Sequence, residues 1–134
     1  MNTNKKGSDQ FASAHFRSSE FDCPCLECKE TLIDDELLLR LDMLREYLGF
    51  PIKVTSGYRC EHYQLKLKEE GYETAAGVSQ HTLGYAADIK TGHHNGIELE
   101  IAARRCGFKA VGVGEHWIHV DLRWDRDRRW IYSY

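Results

Sequence analysis

No stretch of this chain is long and apolar enough to span a membrane, and its first residues lack the apolar core of a secretory signal. Integration through a hydrophobic helix is therefore excluded, and synthesis in the cytoplasm is the expectation. An excess of one charge is missing too. The formal net charge of −3 gives no general case for nucleic-acid binding. No internal repeat and no low-complexity block breaks up the chain. Its 134 residues suffice for one domain with a real core, but not comfortably for two. Hydrophobic content of 42% and charged content of 29% are ordinary for a globular protein, so composition alone names no function.

What is present is concentrated in two stretches. The first runs from Ser79 to Asp88 and holds His81 and Asp88, separated by Gly84 and the small residues Ala86 and Ala87. The second runs from Glu115 to Asp121. Residues 117–122 alternate, so Ile118, Val120 and Leu122 share one face of a strand while Trp117, His119 and Asp121 share the other. Tyr85–Ile89 reads as a neighbouring strand. Side by side, the two would bring His81, Asp88 and His119 to one point.

Two imidazoles and a carboxylate are what a catalytic zinc takes, with a fourth position left for water. Water so bound loses its proton near neutral pH. The chemistry then calls for a nearby acid or base, and Glu115 and Asp121 are the neighbours. Plainer readings stand beside this one. A lone histidine is usually structural, and Asp88 could simply cap a turn.

At this point the residues resemble a family. Ser79-Gln80-His81, then Gly84, Ala86 and Asp88, followed by His119-Val120-Asp121, are similar to the M15 zinc peptidases. These comprise D-alanyl-D-alanine carboxypeptidases, the vancomycin-resistance dipeptidases and phage L-alanyl-D-glutamate endolysins. Val54-Thr55-Ser56-Gly57-Tyr58-Arg59 looks like that family's strand ending in a substrate-site arginine. The likeness covers roughly residues 16–123.

The resemblance implies an α+β fold, the small domain shared with the hedgehog signalling domain, with a central antiparallel sheet and about three helices. It implies one catalytic zinc on His81, Asp88 and His119, with Arg59 holding a substrate carbonyl or carboxylate. Ser79 either binds substrate or only caps the turn before His81. In well-known members a catalytic acid lies three residues before the last histidine ligand. Here that position is His116, with Glu115 one residue earlier; Glu115 is the leading proton-transfer group, with His116 and Asp121 as the alternatives. The implied substrate is a peptidoglycan stem peptide containing D-amino acids, cut by an endolysin or a carboxypeptidase. Without a signal, such an enzyme would reach the wall by holin-type release. The alternative is a non-catalytic zinc-binding module on the same fold, binding a wall fragment or a protein partner. A monomer is the expectation.

Cysteines number five, an odd count. Cys23, Cys25 and Cys28 are clustered and, with Cys60, offer four thiolates to a second, structural zinc. Buried free thiols, or a disulfide after oxidation, are the other readings. Cys106 reads as a helix residue packed in the core.

The remaining expectations are local. Residues 1–15 read as a flexible N-terminal arm, and 16–134 as one peptidase-like domain. A helix is expected over 34–48, capped by Asp34, with a stripe of Leu37, Leu38, Leu41, Leu44 and Leu48. A second is expected over 61–70. A third starts at Asn95, with Ile97, Ile101 and Ala102 facing inward. Strands are expected over 51–55, 109–113 and 117–122. The 71–80 loop delivers Ser79 and His81, and the charged-then-aromatic tail from Asp125 either packs back or meets a partner.

Overall fold

The computed structural model describes residues 2–72 and 79–134. Its elements in chain order are β1 (Asn2–Lys5), β2 (Glu30–Ile33), α1 (Asp35–Leu48), β3 (Lys53–Ser56), α2 (Glu61–Glu69), β4 (Ala86–Lys90), α3 (Gly96–Arg105), β5 (Ala110–Val113), β6 (Ile118–Asp121) and β7 (Arg128–Ile131). The fold class is α+β. Among the described residues, no helix is long and apolar enough to cross a membrane.

The helices form where the sequence favours them. Asp34 caps α1 by accepting a hydrogen bond from the Glu36 amide at 2.9 Å, and Gly49 closes the helix at φ +74°. The leucine stripe then enters the core, with Leu37, Leu38, Leu41 and Leu44 buried. Asn95 caps α3 through the Glu98 amide at 3.0 Å. One expectation fails on that helix. Ile97 and Ile101 face solvent, while Leu99, Ala102 and Ala103 face the core. The inward stripe therefore starts two residues later than expected. It is continued by Cys106, which is buried as foreseen.

Five strands form the main sheet in the order β3-β4-β6-β5-β7. Neighbours through β5 pair antiparallel, while β7 joins β5 in parallel, so the antiparallel centre carries one parallel edge. The register decides everything that follows. Ser56, Asp88, His119, Gly112 and Trp130 are successive partners across all five strands. Alternation sends their neighbours Ile89, Ile118 and Val113 to the opposite face, where they join α1 and α3 in the core.

The N-terminal residues correct the expectation of a flexible arm. Residues 2–5 pair antiparallel with 30–33 in a two-stranded sheet. Beyond it, the Gly7 amide donates to Asp22, while Ser13, Ala14 and His15 all donate to Asp42 on α1. Phe16 and Phe21 follow and pack edge-to-face in the core, their ring centroids 5.9 Å apart. The polar composition of 1–15 hid these bonds, because they run between backbone groups or from backbone and hydroxyl donors to carboxylates and leave no hydrophobic signature.

Candidate active site

His81, Asp88 and His119 come together, and all three are buried. Asp88 and His119 are direct cross-strand partners on β4 and β6. His81 reaches them from a turn over 79–84, where the Thr82 amide donates to the Ser79 carbonyl and Gly84 takes φ +77°. A side chain at Gly84 would also crowd the Leu32 backbone, at 3.0 Å.

Each imidazole is oriented by its outer nitrogen. His81 Nδ1 donates to the Gly57 carbonyl at 2.7 Å, and His119 Nε2 donates to Asp121 Oδ2 at 2.8 Å. That leaves lone pairs on His81 Nε2 and His119 Nδ1, and these nitrogens lie 3.2 Å apart. Asp88 Oδ1 lies 3.2 Å from the first and 2.9 Å from the second. Three electron-pair donors thus converge on one point. They repel unless a positive charge sits among them. A tetrahedral zinc with ligands at about 2.0–2.1 Å separates its ligand atoms by about 3.3–3.4 Å, close to the spacing seen. The donor set therefore fits a metal ion, in agreement with its composition.

The titration behaviour follows the same geometry. Burial pushes the His81 pKa down. Burial also opposes ionisation of Asp88, but the His81 and His119 rings outweigh it and hold that carboxylate far below its usual range. For His119, burial favours the neutral ring, yet the bonds to Asp121 and Asp88 dominate and raise the pKa. Burial likewise raises Asp121, but His119 and Arg123 bring it to about 2. Arg123 donates to both Asp121 oxygens. Asp121 is therefore committed behind His119 and serves to orient it.

Arg59 meets the site from the β3–α2 junction. Its Nη2 donates to Asp88 Oδ2 at 3.0 Å, its Nε to Ser56 Oγ at 2.9 Å and its Nη1 to Gln64 at 3.4 Å. Asp88 thus gives one oxygen to the metal point and the other to Arg59. Ser79 is buried. Its hydroxyl donates to the same Gln64 oxygen at 3.3 Å and also accepts from the Thr82 amide. The turn-capping role foreseen for it is the one these bonds serve.

A cleft of about 560 Å³ opens beside these residues, lined by Arg59, Asp88, Tyr63, Lys90, His116 and Trp117 among others. Glu115 lines a neighbouring depression instead, and its side chain is 80% exposed. It lies 3.5 Å from the His116 ring. Cys23, Cys25, Cys28 and Cys60 also come together, with sulfur atoms within 4.8 Å of one another.

Three participants escaped the sequence. Gln64 is fully buried in a helix that is otherwise exposed or half-buried, a pattern visible only once α2 is in place. The Gly57 carbonyl is a backbone group and has no signature. Trp130 lies across Gly112 with its ring 5.3 Å from that of His119. A Cβ at Gly112 would come within 2.4 Å of the Trp130 indole, so the glycine makes that approach possible.

The family model described as Peptidase M15 matches residues 14–121. The chain belongs to the M15 peptidase family. The match spans all three convergent ligands, Arg59, Ser79, Glu115 and the four clustered cysteines. No curated protein and no solved structure matches the chain. Peptidase activity on a peptide substrate follows from membership of the M15 family.

Proposed function

We propose that this M15 peptidase is a zinc enzyme that hydrolyses stem peptides of peptidoglycan containing D-amino acids. The observation that carries this reading is the convergence of His81 Nε2, Asp88 Oδ1 and His119 Nδ1 behind a cleft that Asp88 and Arg59 line. Those three atoms would hold the metal. When bound, zinc supplies Lewis-acid polarisation of the scissile carbonyl and activation of water.

The chain's own residues do the rest. Gly57 and Asp121 fix the two rings so that the correct nitrogens face the metal point. Arg59, already anchored by Ser56, Gln64 and Asp88, presents a rigid fork of donors at the cleft. It suits a substrate carbonyl or terminal carboxylate and the negative charge that develops during attack. Trp117 and Tyr134 give the cleft an aromatic end, where the Trp117 indole donates to the Tyr134 carbonyl at 3.1 Å. Proton transfer to the leaving amine is assigned to His116, which lines the cleft, with Glu115 supporting it from behind. Action on the wall after holin-type release, as an endolysin, fits the same reading.

One observation favours the second reading, a zinc-binding module without turnover. Among the described residues lining the cleft, Asp88 is the sole carboxylate, and it is committed to the metal point. Purified peptidoglycan digested with the wild type, Glu115→Gln and His116→Gln separates the two. Mass spectrometry of the soluble products is expected to reveal new peptide termini with the wild type. They should fall sharply with His116→Gln and less with Glu115→Gln. Intact stem peptides after digestion with zinc-loaded wild type would favour the binding module.

A further inference from the structure

The four clustered cysteines lie outside the site just described and are not used by its chemistry. Cys25 and Cys28 sulfurs are 3.3 Å apart, Cys25 and Cys60 3.6 Å, and Cys23 and Cys60 3.7 Å. A disulfide requires about 2.0 Å, so none of these pairs is bonded. Four sulfurs around zinc at about 2.3 Å stand about 3.8 Å from one another. The observed spacings come close to that tetrahedron.

Two further contacts suit thiolates rather than thiols. The Cys28 amide donates to Cys25 Sγ at 3.4 Å, which directs a backbone dipole at the sulfur. Lys6, arriving from the end of β1, brings its ammonium to 3.5 Å from Cys28 Sγ and 4.0 Å from Cys25 Sγ, and donates to the Cys25 carbonyl. A tetrathiolate zinc carries two net negative charges, and a neighbouring ammonium offsets part of them. The single residue between Cys23 and Cys25 is Pro24. It is exposed and stays out of the way of the converging side chains.

We propose that Cys23, Cys25, Cys28 and Cys60 hold a structural zinc, separate from the histidine-aspartate site. Its consequence comes from where the ligands sit. Three belong to the segment between the Ser18–Phe21 turn and β2, and the fourth is the N-cap of α2, next to Arg59. Cys60 makes no side-chain cap hydrogen bond, and its sulfur turns to those of Cys23 and Cys25. The metal ties the N-terminal segment to the β3–α2 junction and holds the backbone from which Arg59 reaches Asp88. Soft thiolate donors select zinc over magnesium or calcium, and a closed set of four leaves no position for water.

The test is metal content of protein purified without added metal, as wild type, His119→Ala and Cys28→Ser. Two equivalents of zinc, falling to one in each variant, are expected. Cys28→Ser should also melt at a lower temperature while keeping the zinc of the histidine site. Should Cys28→Ser fail to fold, His119→Ala decides alone. An organomercurial thiol reagent should release its remaining equivalent, and cobalt substitution should give intense thiolate-to-metal absorption in the near ultraviolet. The proposal is overturned if His119→Ala retains no metal and takes up no cobalt. It is equally overturned if its four cysteines are alkylated at once by iodoacetamide in the native state, or if the intact mass reveals disulfides. None of these readouts depends on turnover, so they stand apart from the peptidase reading.

Discussion

Asp88 spends its two oxygens on different tasks, one at the metal point and one on Arg59. Such division makes both partners sensitive to small changes. Arg59→Lys keeps the charge but loses the fork that engages Asp88, Ser56 and Gln64 together. It is expected to lower kcat by about 10²–10³-fold while zinc content stays at the wild-type level. Steady-state kinetics with parallel metal analysis checks this. Equal activity in the two proteins would show that Arg59 is only an ion-pair partner. Asp121→Asn removes the carboxylate that fixes the His119 tautomer, at a residue that never touches the metal point. A loss of about 10–100-fold in zinc affinity or activity is expected, read by competition with a chelator. At this scale the sequence was informative where spacing carries chemistry. His81, Asp88 and His119 could be named from their pattern, since strand alternation and a turn glycine leave traces. Gln64, the Gly57 carbonyl and Trp130 could not, because their roles arise from packing between elements distant in the chain.

Element by element, legibility tracked hydrophobic periodicity. The α1 helix was read to within a residue of its ends, because a leucine stripe, an aspartate cap and a terminal glycine all agree. For β1, Asn-Thr-Asn-Lys has no apolar alternation, and it becomes a strand only through its pairing with β2. The two isoleucines of α3 misled because branched apolar residues suggest a buried face, whereas the helix buries its smaller residues and Leu99. That helix also carries a testable electrostatic link to β7. Glu100 is buried and accepts from Arg104 and Arg129. Burial opposes its ionisation, but the bonds from Arg129 and Arg104 prevail, and its pKa lies below the usual value. A depressed carboxylate stabilises above its unfolded pKa of about 4.3, and loses that contribution as pH falls through the folded value. Glu100→Gln should therefore cost about 1–2 kcal/mol near neutral pH, the half-exposed Arg129 being discounted for solvent screening. Urea unfolding of both proteins should show the difference shrinking once pH drops below about 4. A difference unchanged at acid pH would assign Glu100 a packing role alone.

For the molecule as a whole, one register produces the site. A row of partners crosses five strands from Ser56 to Trp130, and its second and third members supply a carboxylate and an imidazole. The opposite face of the same sheet is buried under helices, which keeps the row rigid. His81, from the turn just before β4, and Arg59, from the β3–α2 junction, meet Asp88 beside the cleft. This arrangement, with family membership, supports the proposed zinc-dependent hydrolysis of a wall peptide. The most direct test is to strip the protein of metal with a chelator, return zinc in small steps and follow release of peptide termini from peptidoglycan at each step. Activity should be absent without zinc, rise as the histidine site fills and level off at its saturation, while His119→Ala stays inactive throughout. Hydrolysis that survives removal of all zinc, or none at full occupancy of the wild type, would contradict it.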